Sequence, residues 1–418
     1  MNVLLLNTSE RTGGAAIAAN RLMKALIKNC IETTSLVLNK QTNGENVISV
    51  QSSFLQRQLA RFNFLWERWA IFVYNRFSRK NLFTVSIANT GFDISRHPLV
   101  KKADIIHIHW INQGFLSLQA LKKLVDSGKP IVWTMHDMWP CTGICHHARE
   151  CKSYQTQCHN CMYLNKQRRQ DLSYRIFNRK KTIFQTREIT FITCSQWLKS
   201  KAEQSALLTN QTIYSIPNPI DTSLFRPMNR SLCREKFHLP EDKKLILFGA
   251  VNITDERKGI QYLIKAMEIL ALKTGAADLE LLLFGKSTID LSAILNLKVN
   301  YLNFLSNEED IVALYNAADV YITPSLEENL PNTIMESMAC GVPCVGFHVG
   351  GIPEMIDHQK NGYVAEYKNA EDLAEGIHWI LNQADYNELS MHARQKVELN
   401  YHEDIVAKQY IELYKEIL

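Results

Sequence analysis

The chain has 418 residues, 46% of them hydrophobic and 21% charged, with a net charge of +5 at neutral pH. This composition excludes a disordered or low-complexity polymer, and no apolar run approaches the roughly 20 residues of a membrane span. At roughly 150 residues per domain the length exceeds one ordinary core, so two large domains are expected.

The first half alternates strand-like and helix-like segments, the pattern of an α/β chain with a parallel sheet covered on both faces. Strands are predicted at Val3–Asn7, Thr34–Leu38, Asp104–His109, Ile131–Met135, Ile189–Thr193 and Thr212–Ile216. The short apolar opening reads as a strand and not as a signal peptide, which makes the cytoplasm the expected location. Gly13 and Gly14 follow the first strand and open a helix that runs to about Lys28. Glycines at such a turn let backbone approach a ligand.

Between Arg57 and Lys80 lie six basic side chains against Glu67 alone, interleaved with Phe62, Phe64, Trp66, Trp69, Phe72, Tyr74 and Phe77. A second basic run spans Lys166 to Arg187, with eight Lys or Arg against Asp171. Helices of this kind suit an anionic membrane surface, where each basic residue contributes on the order of 1 kcal/mol. The alternative is a stripe that packs on its own domain.

His107 and His109 share one face of their strand, and Trp133-Thr134-Met135-His136-Asp137 closes the next. Five of the ten cysteines then crowd into a short stretch: Cys141, Cys145, Cys151, Cys158 and Cys161, with His146, His147 and His159 among them. Disulfides are disfavoured in a reducing compartment. Cys158 and Cys161 have the spacing of half a tetrahedral zinc site, with Cys145 and Cys151 as the other half. Free thiols are the alternative.

Three prolines between Ile216 and Pro227 mark an interdomain linker. A second alternation follows, with strands predicted near Leu245–Gly249, Leu279–Phe284, Asn300–Phe304, Val320–Thr323, Pro343–Phe347 and Gly362–Val364. Helices are predicted at about Ile260–Lys273, Asn307–Ala317 and Asn332–Ala339. Lys258 precedes Gly259 at a helix start, where a cation opposes the helix dipole unless an anion is bound. From Pro324 to Pro343 the chain sets Glu328 and Glu336 on either side of another helix start, marked by Pro331 and Asn332 and stopped by Gly341. Backbone N–H groups at such a start suit a diphosphate, and Glu336, one turn inside, is placed to accept hydrogen bonds from a ribose.

The run Glu328 to Pro343 resembles the donor-site signature of GT-B glycosyltransferases of the retaining family 4. In that family two glutamates with seven residues between them precede a Met-Ala-Cys-Gly-Val-Pro-like run. Asn329-Leu330-Pro331 stands where the family often has Gly-Phe-Gly, a change that backbone contacts to a sugar phosphate should survive. Gly350 and Gly351 resemble the family's nucleotide-lining loop, and Lys258 matches its diphosphate-clamping lysine. Ala250 occupies the position of the usual arginine, for which Arg257 is the nearest substitute.

The resemblance implies a GT-B fold: two Rossmann-like, doubly wound domains facing across a cleft. Residues 1–216 would form the acceptor-side domain and 217–402 the nucleotide-sugar domain, with the final helix, 403–418, packed back on the first. It further implies catalytic roles for His136, Glu328 and Lys258. Donor contacts would come from Gly13, Gly14, Arg257, Lys258, Asn329, Leu330, Pro331, Asn332, Glu336, Gly350 and Gly351. The implied reaction moves a sugar, with retention, from a nucleotide diphosphate sugar to a saccharide or lipid-linked saccharide, in bacterial cell-surface polysaccharide biosynthesis. No cofactor or divalent metal is required for it.

Two other readings stand beside this one. A GT-B epimerase or phosphorylase shares the fold, though the paired glutamates argue against it. A zinc-containing nucleic-acid-binding protein would account for the cysteines and basic runs and for little else, so no nucleic-acid partner is expected. A dehydrogenase is disfavoured because no Gly-x-Gly-x-x-Gly follows the first strand.

Overall fold

A computed structural model describes every residue except 287, 303, 304 and 306. The chain divides into two compact units: Met1–Pro217 with Val406–Leu418, and Asn218–Ile405. The division falls within the predicted linker, after Pro217, and the last helix, Glu403–Ile417, starts in the second unit and runs into the first. Its first turn stays behind because the backbone of Ile220 pairs with Tyr401 and Glu403, at 2.9 Å and 3.0 Å.

In the first unit the strands are β1 (Asn2–Ser9), β2 (Glu32–Asn39), β3 (Val47–Ser49), β4 (Ile105–Ile108), β5 (Ile131–Met135), β6 (Thr190–Thr193) and β7 (Ile213–Ser215). They form one parallel sheet in the order β3-β2-β1-β4-β5-β6-β7. Successive side chains of a strand point to opposite faces, and here both faces are covered. Leu4 and Leu6 of β1 join one apolar cluster, while Val3 and Leu5 join another with Val406, Tyr410, Leu413 and Tyr414 of the last helix. Helix α1 (Gly14–Lys28) follows β1, and helix α2 (Phe54–Tyr74) follows β3.

The second unit holds β8 (Lys244–Asn252), β9 (Leu279–Lys286), β10 (Lys298–Tyr301), β11 (Val320–Thr323), β12 (Cys344–Phe347) and β13 (Gly362–Ala365), paired in parallel as β10-β9-β8-β11-β12-β13. The end of the strand expected at Asn300–Phe304 lies partly outside the described residues. Both sheets reverse their winding once, between β1 and β4 and between β8 and β11. At such a switch point the connecting loops part beyond the strand carboxyl ends and leave a crevice that ligands use.

Candidate functional sites in the two units

In the second unit, loops from β8, β11 and β12 converge at the switch point. Beyond β8 the chain forms a short turn at Glu256–Lys258 and passes through Gly259, whose φ of +68° is left-handed. A Cβ at Gly259 would lie 1.9 Å from the carbonyl oxygen of Pro324, so the two loops touch backbone to backbone. The Leu326 N–H donates to the carbonyl of Arg257 at 2.7 Å, tying the loops again. This contact delivers Lys258 to Glu328: its ammonium forms an ion pair with the carboxylate, which also accepts from the Ser325 hydroxyl at 3.1 Å.

The β12 loop closes over the same place. Gly350 has φ +60°, and a Cβ there would fall 1.8 Å from the carbonyl oxygen of Glu328. The Gly351 N–H donates to the carbonyl of Asn329 at 2.7 Å. Helix Asn332–Ala339 starts immediately after Pro331, which occupies the cap position without a side-chain cap. Asn332 is therefore the first helical residue and not the cap, and its side-chain oxygen accepts from Asn218 at 3.2 Å.

Glu336 lies one turn inside this helix and is 7% exposed. Its carboxylate accepts from the Tyr315 hydroxyl at 2.9 Å, and burial followed by that charge holds the phenol well above its usual pKa. Arg257 is directed elsewhere, into an ion pair with Asp255 at 2.6 Å. The structure thus brings Lys258, Glu328, Asn329, Gly350 and Gly351 into one contact network, with Leu330, Pro331, Asn332 and Glu336 continuing from it. Arg257 adjoins that network through its backbone and is paired with Asp255 through its side chain.

The first unit sets two buried histidines at its switch point, beside a paired carboxylate. Gly13, with φ +92°, caps α1, and its carbonyl accepts from Ala16 and Ile17. Gly14 is the first residue of α1. Beyond β4 and β5 stand His109, Trp110, His136 and Asp137. His136 and His109 share a hydrogen bond of 2.9 Å, and the thiol of Cys194 lies 3.6 Å from the other nitrogen of His136. Burial pushes the pKa of His136 down to about 4 and that of His109 well below the ordinary value. His107 is a framework residue, bonded to the Tyr414 hydroxyl at 2.6 Å and to Thr134 at 2.7 Å, its pKa pushed by burial to about 3.

Asp137 follows His136 just beyond β5. It accepts from the Trp110 indole at 2.9 Å and pairs with His146 at 2.7 Å, and against the effect of burial His146 holds it well below the carboxylate range.

The cysteines gather without forming disulfides. Cys145, Cys158 and Cys161 are buried and Cys151 is partly so, and burial keeps the Cys145 thiol protonated, its pKa pushed up to about 11. Among the described residues no group of three or more His, Cys, Asp or Glu side chains is arranged to hold a metal ion. The four thiols expected to form a tetrahedral cage, Cys145, Cys151, Cys158 and Cys161, are not among such groups, and no chemistry is routed through them.

Some partners had no signal in local sequence. Tyr315 and His146 acquire their contacts only through folding. Lys180, within the second basic run, is fully buried over the Trp139 ring at 3.4 Å and donates to the Trp139 and Thr142 carbonyls at 2.6 Å and 3.1 Å. Burial pushes its pKa down to about 7. That run is thus not uniformly a surface feature.

The pair of parallel sheets with loop sites at their switch points defines a chain of two Rossmann-like units, the architecture of GT-B proteins. Comparison with known families agrees: residues 12–224 match the model of Glycosyltransferase Family 4, and residues 229–397 match Glycosyl transferases group 1. The chain belongs to glycosyltransferase family 4.

It is 26% identical over 215 residues to N-acetyl-alpha-D-glucosaminyl L-malate synthase of Bacillus anthracis, covering 50% of this chain and 55% of that protein. It is also 26% identical over 237 residues to the capsular polysaccharide biosynthesis glycosyltransferase CapM of Staphylococcus aureus, covering 54% and 61%. The aligned part spans about half the length of the curated relatives it matches. Among solved structures, HepE of Anabaena in complex with UDP-glucose superposes with a TM-score of 0.63 at 16% identity, covering all of both chains, a likeness of fold.

Proposed function

We propose that this chain is a retaining glycosyltransferase that moves a sugar from a nucleotide diphosphate sugar to a hydroxyl of a saccharide or lipid-linked saccharide. Its setting is bacterial cell-surface polysaccharide biosynthesis, in the cytoplasm or at the inner face of the cell membrane. The observation that carries the reading is the Lys258–Glu328 pair, held by the glycine contacts of three loops at the β8/β11 switch point. HepE, of the same fold, was solved in complex with UDP-glucose.

In this reading the donor's diphosphate lies against Lys258 and the first backbone N–H groups of helix Asn332–Ala339, and the ribose hydroxyls donate to Glu336. Lys258 exchanges part of its contact with Glu328 for the phosphate oxygens, which frees the carboxylate to accept from the sugar. As the anomeric bond breaks, negative charge grows on the leaving diphosphate. A fixed ammonium and oriented amides stabilise that charge without reorganising. No side chain is needed as nucleophile, because the departing phosphate takes the acceptor proton on the face where the new bond forms. His136, kept neutral by burial, exchanges its 3.6 Å contact with the Cys194 thiol for one hydrogen bond to the sugar.

Calorimetry of the full chain with UDP-, GDP- and ADP-sugars, followed by product analysis by proton NMR, tests this. One donor should bind, and the product should keep the donor's anomeric configuration. Binding of none, or an inverted product, overturns it. Turnover unaffected by EDTA is the expected result for a transfer without a divalent metal.

A further inference from the structure

Helix α2 is amphipathic in the inverse sense, with its ion pair inside and its aromatic rings outside. Ala60, Asn63, Glu67, Arg68 and Ile71 face the unit. Glu67 is fully buried and pairs with Arg68 at 2.9 Å. Its carboxylate also accepts from the Ser86 hydroxyl at 2.6 Å and from the Ile87 and Ala88 N–H groups at 2.8 Å and 2.9 Å. The Thr90 hydroxyl donates to Asn63 at 2.6 Å. Rolling the helix to bury its aromatic rings would strip all these partners from a buried carboxylate, which is far costlier than leaving rings in water. The outward face is therefore fixed.

That face carries Leu55, Leu59, Phe62, Trp66, Trp69 and Val73 at alternating spacings of four and three, a single stripe on a helix. Their exposures run from 37% for Val73 to 78% for Leu55. The rings stack on one another, Phe62 on Trp66 at 5.7 Å and Trp66 on Trp69 at 4.9 Å, so the stripe is continuous. At about 200 Å² per large apolar side chain, roughly half exposed, the six leave on the order of 600 Å² of apolar surface, at the upper end of what a monomer shows without a partner.

The charge around the stripe names the partner. Arg57, Arg61, Arg76, Arg79 and Lys80 are all exposed, and the one carboxylate between residues 54 and 83 is the buried Glu67. A second copy of the chain laid on this stripe would bring two sets of five cations together with no exposed acid in the segment to offset them. An anionic bilayer surface satisfies both features, since tryptophan rings favour the level of the lipid headgroups and arginines pair with phosphate. No helix among the described residues is long and apolar enough to cross a membrane, so the geometry is that of a helix lying flat.

We propose that α2 is a membrane-docking helix that seats its Leu55–Val73 stripe in the headgroup region of an anionic lipid bilayer. The inference deepens the membrane-facing part of the proposed function and rests on that part alone, because docking needs no nucleotide sugar.

The test is co-sedimentation of the full chain with phosphatidylcholine vesicles that contain or lack 30% phosphatidylglycerol. At least about tenfold stronger partitioning onto the anionic vesicles is expected, weakened by salt, as five cations beside an apolar stripe require. The double variant Trp66→Ser, Trp69→Ser should lose about tenfold or more of that binding while keeping its circular dichroism spectrum and donor affinity. The pair Leu55→Ser, Leu59→Ser, near the other end of the stripe, should weaken it in the same direction. Brominated acyl chains should quench the fluorescence of the wild type more than that of the double variant.

Equal binding to both vesicle types, or undiminished binding by both variants, overturns the proposal. So does a stable dimer in sedimentation velocity that the tryptophan variant dissociates, which would assign the stripe to a second copy. If no nucleotide sugar binds yet anionic vesicles do, the docking helix stands and the transferase reading falls. If a soluble acceptor is glycosylated while vesicles are ignored, the docking inference alone fails.

Discussion

The two switch points differ in the groups that stand at their centres. In the second unit Lys258 and Glu328 are charged and paired, and are held by glycines that let backbones touch. In the first, His109 and His136 are buried, neutral and joined to each other. Fixed charge suits a partner that carries charge of its own, because an ammonium preorganised in a partly dry site loses nothing when a diphosphate replaces its carboxylate. Neutral imidazoles suit uncharged hydroxyls, where a hydrogen bond orients without the desolvation cost of an ion.

Removing the ammonium is the harshest way to break this contrast. Lys258→Met should lower kcat about 10²- to 10³-fold, the usual consequence of losing one group aimed at developing charge. Steady-state kinetics with a soluble acceptor checks it, and a fall in His136→Gln of the same size would erase the distinction. Gly350→Ala comes next. Its Cβ would overlap the Glu328 carbonyl in a left-handed backbone, so the β12 loop must move, at a cost of about 1–3 kcal/mol. Urea unfolding should show that loss, with weaker donor binding alongside, whereas Gly13→Ala in the first unit has open space around its Cβ and only its φ against it.

Glu336→Gln keeps shape but weakens a charge-assisted hydrogen bond, and should lower donor affinity about tenfold by calorimetry. The mildest test is pH. Burial holds the folded pKa of His136 near 4 and of His107 near 3, below the ordinary histidine value. Between those values and about 6.5 the unfolded chain binds protons that the folded chain refuses. The contribution of these histidines is therefore flat above pH 7, and it lowers stability as pH drops from about 6.5 toward 4. Differential scanning fluorimetry should show the melting temperature declining over that window, and His136→Gln should make the decline shallower.

Much of the fold was legible because strands of a doubly covered sheet announce themselves as short apolar runs between turn signals. Ile131–Met135 and Val320–Thr323 coincide with the predicted bounds, as does helix Asn332–Ala339. The short edge strand Val47–Ser49 was not anticipated, since three residues carry too little pattern. Glu328, Glu336 and the Gly350-Gly351 loop stood out as local motifs, yet their partners did not. Lys258 meets Glu328 across 70 residues, and Tyr315 meets Glu336 from another helix. The zinc cage suggested by cysteine spacing depends on side-chain directions that spacing does not specify.

What the sequence by itself determined is the alternation of strands and helices, the family signature around Glu328 and Glu336, and the presence of a basic aromatic helix. Each is written in neighbouring residues, whose periodicity and turn chemistry act over a few positions. Which charges pair, which histidines stay neutral and which face of α2 meets solvent were decided only by the tertiary structure. Glu67 shows the reason: a buried carboxylate takes its partners from wherever the fold supplies N–H and O–H donors, here Ser86, Ile87 and Ala88, and in doing so turns the tryptophans outward.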